Sequence, residues 1–398
     1  MYDLMKGIYV VEVAEHTFAP AAGLVLADWG ADVVKVERIG GDASRNMKLP
    51  MVDDALINPF FEAGNRGKRS VSIDLSREEG REVLHKLIAK ADVFITSLRR
   101  EARQKLSIEA KDLVARYPRL IYARATGFGL KGPIADRGGF DFPSSWCLGG
   151  AGYMQTVPGQ APPMQPGSFG DLTGGITLAG AVAAALFRRE RTGKGAIVDN
   201  SLYGVGIWLM GQSILAAKVG LRPPVYHQDE PFEALTNCYQ TRDGRWLSLC
   251  LLQPGWWPDF VSHIERPDLL DDPRFVDAKS RTDNKSALVE ELNNVFKTRT
   301  YQEWLEKLDT MEGVWAPLQS PEEVADDVQA RENSFVTEVT FPDHTNYLAA
   351  ASPAQFDERS IGPLIAAPRL GEHSEDVLGE AGLSHEEIRA LRDRGLIG

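Results

Sequence analysis

The chain has 398 residues, 43% of them hydrophobic and 25% charged, and its 56 acidic against 44 basic side chains give a formal net charge of -12 at pH 7. A chain of this size buries roughly three quarters of the surface its unfolded form exposes and has the length of two domains or more, which excludes overall disorder. Its acidity repels phosphate backbones at long range and excludes nucleic acid as a general partner, leaving room for a local cationic pocket that holds a small anion.

In chain order, Ile8 to Val13 reads as a strand, the Ala- and Leu-rich stretch from about 19 to 29 as a helix, and Ala31 to Glu37 as a second strand, a βαβ unit. The rhythm repeats with a strand at Ser70 to Asp74, a helix from Glu78 to Ala89 carrying Val83, Leu84, Leu87 and Ile88 on one face, and a strand at Asp92 to Ile95. A polar helix near Glu101 to Arg116 and a strand from Leu120 to Ala125 follow. Strands alternating with helices imply an α/β fold with a doubly wound, mostly parallel sheet, whose ligands lie beyond the strand C-termini. Gly127-Phe128-Gly129, Gly132-Pro133 and Arg137-Gly138-Gly139-Phe140-Asp141 are expected as turns at that edge. Pro158, Pro162, Pro163 and Pro166 prevent the stretch between Gly152 and Ser168 from being a continuing helix or a central strand.

Leu172 to Phe187 is weakly polar and rich in Gly, Ala and Thr, and it ends in Arg188-Arg189-Glu190-Arg191; it reads as a buried helix. No apolar run reaches the roughly 18 residues that span a membrane and the first residues are unlike a signal peptide, so no membrane partner is expected. Ala196 to Asp199 is a further strand and Leu202 to Ala217 a helix, which completes a large domain over 1–220. The Pro-rich stretch from Leu221 to Gln228 leads to a small mixed α/β domain over 225–330, with a hairpin around Asp243-Gly244 and a helix from Asp283 to Leu308. The segment 331–398 holds a short strand at Ser334 to Val339, a turn at Pro342-Asp343 and two terminal helices, the second opened by a capping box between Ser384 and Glu387.

Asp171 is the leading candidate for chemistry. It lies just before a Gly- and Ala-rich helix, whose N-terminus favours the carboxylate form. Ionised at neutral pH, it can attack an activated carbonyl carbon, and Gly174 and Gly175 leave room for a large substrate. The alternative is a plain N-cap that only satisfies backbone donors. Arg38, Arg45, Arg66, Lys68 and Arg69 flank strands and are expected to meet at one rim of the sheet, a charge pattern suited to a multiply phosphorylated small molecule, or else they are solvated loop cations. Phe18, Trp146, Tyr153 and Met154 flank these loops as walls of an acyl pocket or as ordinary packing.

Other chemistries lack their residues. The loop Ala14 to Gly23 has neither GxGxxG nor GxxxxGK[ST], which argues against a nicotinamide enzyme. The seven histidines are scattered without HExxH, so no metal site is expected, and Gly167-Ser168-Phe169-Gly170 is not a GxSxG elbow. The three cysteines, Cys147, Cys238 and Cys250, form neither a disulfide framework nor a thiolate metal motif, which fits a reducing cytoplasm.

Eight segments, in order and spacing, resemble the class III coenzyme A transferases, the family of formyl-CoA and carnitine-CoA transferases: VVEVAEHTFAPAAGLVLADWGADVVKVERIGGDASR, NRGKRSVSIDL, ADVFITS, IYARATGFGLKGP, RGGFD, GSFGDLTGG, RRERTGKG and PRLGEHS. The resemblance spans essentially the whole chain. It implies a large domain assembled from both chain ends, to which 331–398 returns, a smaller domain, and an interlocked homodimer. It places Asp171 at the nucleophilic aspartate and Arg38 at a CoA-binding position, with Lys68 and Arg69 as companions for the nucleotide or pyrophosphate.

Two motifs depart from the family. Ser97-Leu98-Arg99 replaces Asn-Phe-Arg, and Leu251-Leu252-Gln253-Pro254 replaces a glycine-rich lid. Racemases of the same fold carry Gly-His-Asp where this chain has Gly139-Phe140-Asp141, and phenylalanine cannot exchange a proton.

The implied reaction moves CoA from an acyl-CoA to a small carboxylic acid, with CoA as substrate and product and no prosthetic group. Asp171 attacks the thioester carbonyl and CoA leaves as a thiolate. The resulting anhydride is then attacked either by the incoming carboxylate or by the thiolate, which would give an aspartyl-CoA thioester. Amides near Gly127 to Gly129 or at the Asp171 helix entrance are the expected oxyanion donors. Intramolecular transfer within a dicarboxylyl-CoA, racemase-like epimerisation and a non-catalytic interaction protein retaining the fold are the alternatives.

Overall fold

The computed structural model describes residues 2–47, 57–221, 227–341 and 345–398. The expected turn at Pro342-Asp343 and the middle of the Pro-rich stretch after Leu221 lie outside the described residues. The chain divides into two compact units, one of residues 1–152, 164–215 and 327–398, the other of residues 153–163 and 216–326.

The first unit is built on six parallel strands: β1 (Tyr9–Val13), β2 (Asp32–Glu37), β3 (Arg69–Ser72), β4 (Val93–Thr96), β5 (Ile121–Thr126) and β6 (Ala196–Ser201). Their spatial order is β3-β2-β1-β4-β5-β6. The order reverses between β1 and β4, and in such sheets the crevice at the C-terminal ends of those two strands is where ligands bind. Alternate residues of each strand enter opposite cores. Val10, Val33, Val93, Ile95, Ile121 and Ala123 pack under helices α1 (Phe18–Asp28) and Phe169–Thr192. Val11, Val34, Val36, Phe94 and Tyr122 pack on the other face against the helix Glu78–Ile88. Both faces being covered explains why these strands read as continuous apolar runs.

The C-terminal segment joins both cores. Val339, Ile361 and Leu364 enter the first, whereas Val377, Leu378, Ile388, Leu391, Leu396 and Ile397 enter the second. Asp74 N–H donates to the Leu396 carbonyl at 2.8 Å, continuing the sheet edge. The helix Phe169–Thr192 is long and apolar enough to cross a membrane, but Leu178, Ala179, Val182 and Leu186 are buried in the first core, as in the core helix of a water-facing domain.

Three expected long helices are broken, and Leu202 to Ala217 forms Leu202–Leu209 and Gly211–Lys218. The stretch Glu101 to Arg116 forms Arg100–Lys105 and Ala110–Arg116, because Ser107 adopts a left-handed φ of 57° and turns the chain so that Ile108 is buried. Asp283 to Leu308 forms chiefly Lys285–Phe296 and Tyr301–Leu308, the latter opened by a reciprocal capping box between Thr300 and Glu303. The second unit holds a three-stranded antiparallel sheet, Thr236–Gln240, Trp246–Cys250 and Val314–Pro317, over a core that includes Tyr239, Phe260, Phe275, Leu292, Phe296 and Trp304.

Candidate active site

The loop after β1 is held from below by a buried charge network. Lys35 on β2, fully buried, donates to the Ala14 carbonyl at 2.9 Å and pairs with Asp42 at 2.8 Å and Glu12 at 3.3 Å. Asp42 accepts from His16 N–H at 3.1 Å, which fixes His16 with a left-handed φ of 66° where the loop meets the cleft. The Lys35 ammonium and the Ser44 donors overcome burial and hold the Asp42 carboxyl down at about 2. Ser97 Oγ, at the end of β4, accepts from Glu15 N–H at 3.2 Å. Three strands thereby fix one loop.

The helix Phe169–Thr192 begins in an unusual way. Its N-cap Ser168 is left-handed and makes no side-chain cap bond. The free N–H groups go to Asp141 instead, whose Oδ2 accepts from Gly170 N–H at 2.9 Å and from Asp171 N–H at 3.1 Å. Ser145 Oγ donates a short hydrogen bond to Asp141 Oδ1. A Cβ on Gly170 would stand 2.2 Å from both Asp141 Oδ1 and Ser145 Oγ, so only glycine allows this approach.

Asp171 is therefore not the cap. Its carboxylate lines a cleft of about 480 Å³ at the strand C-termini, together with Glu15, His16, Phe18, Ser97, Thr126 and Phe140. Burial first, and then the Asp141 charge, push the Asp171 carboxyl up to about 7. The expectation that the helix N-terminus keeps it ionised is corrected: the amides that would do so are bound to Asp141. Gly174 and Gly175 do not clear space for substrate. A Cβ on either would come within 2.5 Å of Phe18 or Ala21 on α1, so they are small to let two helices touch.

The expected oxyanion donors are largely engaged. Gly129 N–H donates to Thr126 Oγ1 at 3.1 Å, and the Gly170 and Asp171 amides at the helix entrance serve Asp141. Of the four aromatic and methionine residues expected at an acyl pocket, Phe18 lines the Asp171 cleft, Trp146 packs against Phe169, and Tyr153 and Met154 belong to the second unit.

The cations do not meet at one rim. Arg45 forks onto Glu37 (2.7 and 2.8 Å) and Arg66 is buried on Asp28. Lys68 is corrected from a ligand contact to a core group: fully buried, it donates to both Glu12 oxygens (2.9 and 2.7 Å), the Pro20 carbonyl and Asn65 Oδ1, and burial lowers it to about 8. Arg69 is corrected too. It opens β3, at the sheet end remote from the strand C-termini, and is paired with Asp32 and Glu380. Arg38 alone of the five faces solvent, its side chain 62% exposed. It lines an apolar cleft of about 530 Å³ with Arg81 and Lys105, and Glu15, Leu98 and Ala102 line both this cleft and that of Asp171.

Asp141 and Ser145 were not singled out by sequence reasoning. Asp141 lies 30 positions before Asp171, and the signal that could have found it is its place in the RGGFD segment.

A Rossmann-ordered sheet with a half-buried carboxylate at its crevice, and no nucleotide glycine motif, defines an α/β protein suited to covalent carboxylate chemistry. The model of CoA-transferase family III matches residues 5–374, and the chain belongs to that family. It is 34% identical to an (R)-2-hydroxy-4-methylpentanoate CoA-transferase of Clostridioides difficile over 99% of each chain. It is 28% identical to a cinnamoyl-CoA:phenyllactate CoA-transferase of Clostridium sporogenes, covering 98% of this chain and 96% of the relative. Among solved structures, a CAIB/BAIF family protein from Brucella suis superposes with a TM-score of 0.83 at 28% identity, covering 95% of this chain and 99% of that one. CoA transfer is thus the general chemistry of this chain.

Proposed function

We propose that the protein transfers CoA from an acyl-CoA to a carboxylic acid through covalent intermediates on Asp171. The observation that carries this reading is the Asp171 carboxylate itself, placed in a cleft at the sheet crevice with no hydrogen-bond partner for its oxygens among the described residues. A carboxylate raised toward neutrality is a better nucleophile than a solvated one and is still ionised in a substantial fraction at pH 7. Its Oδ attacks the thioester carbon, the C–S bond breaks, and CoA leaves as a thiolate with an aspartyl acyl anhydride formed. The thiolate then attacks the Asp171 carbonyl, releasing the donor acid and giving an aspartyl-CoA thioester. The acceptor carboxylate attacks that thioester, its C–S bond breaks to give a second anhydride and the CoA thiolate, and the thiolate attacks the acceptor acyl carbon, releasing the new acyl-CoA and the Asp171 carboxylate.

Arg38, with the apolar cleft beside it, is the proposed seat of the CoA nucleotide, since the shared wall of Glu15, Leu98 and Ala102 leads toward Asp171. Two relatives are named for 2-hydroxy acids, and acids of that class are the first acceptors to assay. The exposed stripe of Ile207, Trp208, Leu209, Ile214 and Leu215 supports a homodimer, read here as the interlocked form. Incubation with a panel of acyl-CoAs followed by mass analysis of the Asp171 peptide tests the chemistry. An acyl or CoA adduct on Asp171 is expected, and turnover with no adduct on that peptide under trapping conditions would refute it.

A further inference from the structure

We propose that Asp141 is a positioning residue for Asp171: its carboxylate occupies the helix N–H groups that would otherwise stabilise the Asp171 anion, and sets a like charge beside it. The inference rests on the reading of Asp171 as the nucleophile. A first-turn acid normally gains from the helix dipole and free amides. Here Asp141 Oδ2 holds both the Gly170 and the Asp171 N–H, while Ser145 Oγ and the close fit at Gly170 lock the carboxylate in place. The helix start is thereby neutralised by a residue outside the helix, and the reacting carboxylate is left with burial and a like charge. Asp141 is itself buried, at 7% exposure, so its charge is poorly screened.

Other charged groups line the Asp171 cleft: Glu15, His16, Arg99, Arg100, Arg103, Asp136 and Arg137. Of these, Arg100 is paired with Asp136 at 3.2 Å and Arg103 with Glu109 at 2.9 Å. After burial, Asp141 is the one group whose charge raises the Asp171 carboxyl.

Asp141→Asn isolates the charge. The amide oxygen still accepts from both helix N–H groups, and the amide nitrogen donates to Ser145 Oγ, so every hydrogen bond survives. The titration of Asp171 is read directly in the full-length protein by carbodiimide coupling across pH with quantitation of the Asp171 peptide, which does not depend on turnover. In the variant the coupling midpoint is expected to fall by roughly half to one pH unit. The acid limb of kcat/KM should move down with it, and kcat at pH 8 should drop about two- to fivefold. An unmoved midpoint in a folded variant would overturn the proposal. If Asp141→Asn does not fold, Asp141→Ser, which also lacks the charge and demands less space, takes its place with the same criterion. Failure of the nucleophile reading shows separately, as residual transferase activity in Asp171→Asn, whatever the midpoint does.

Discussion

At the residue scale, Asp171 lies in tension between stability and reactivity. Burial and the Asp141 charge push its carboxyl up to about 7, well above the ordinary aspartate range, so the native state binds this proton more tightly than the unfolded chain. The stabilising contribution is complete below about 4 and is lost as pH rises through 7. Asp171→Asn should therefore be more stable than the parent at pH 8, by about 1–3 kcal/mol in chemical denaturation, and equal to it near pH 4. Its transferase activity should fall at least about a thousandfold with the Kd for CoA little changed by calorimetry. In the parent, kcat/KM should drop tenfold per pH unit below about 7, as the attacking anion is protonated. Arg38→Ala should raise the KM for acyl-CoA about tenfold and leave the KM for the free acid unchanged. Lys68 behaves otherwise: Lys68→Met leaves Glu12 in the core with the longer 3.3 Å contact to Lys35 and should cost roughly 2–4 kcal/mol in urea denaturation, with loss of activity tracking loss of fold. The place of Asp171 at a Gly-flanked helix start was legible because that signal is local. The fates of Lys68 and Arg69 were not, since a cation in a loop and a cation paired to an acid more than 30 positions away look alike in one dimension.

At the scale of elements, the reacting carboxylate is carried by the contact between α1 and the helix Phe169–Thr192, and that contact depends on missing side chains. Gly175→Ala would press a methyl group to 2.5 Å from Ala21 Cβ. Prying the helices apart should cost about 1–3 kcal/mol and move the Asp171 turn, so a lowered melting temperature and a several-fold lower kcat are expected together. The βαβ rhythm of the first half was readable because both faces of the strands are buried and the runs of Val and Ile mark them clearly. The breaks at Ser107 and Thr300 were not, because a left-handed serine and a capping box are decided by whether the next apolar residue finds a core, and Ile108 and Trp304 do.

For the whole molecule, the exposed helix Leu202–Leu209 with Trp208 at 84% exposure belongs to an assembly in the proposed reading. The parent should have the mass of a dimer in light scattering, and because interlocked chains part only by local unfolding, Trp208→Glu should lower the melting temperature rather than yield folded monomers; a parent that is monomeric would contradict the assembly. The order of residues along the chain has a further consequence for biosynthesis. Both faces of the six-stranded sheet receive their last apolar side chains from residues 339–397, after the whole second unit has been made. On a ribosome adding about 5–20 residues per second, the sheet waits for those side chains while roughly 140 to 200 more residues emerge, about 10–20 seconds at the middle of that range. During that interval part of each apolar face stays uncovered, which is the state that chaperones recognise, so its yield in a cell should depend on translation speed and chaperone supply as well as on its final thermodynamic stability.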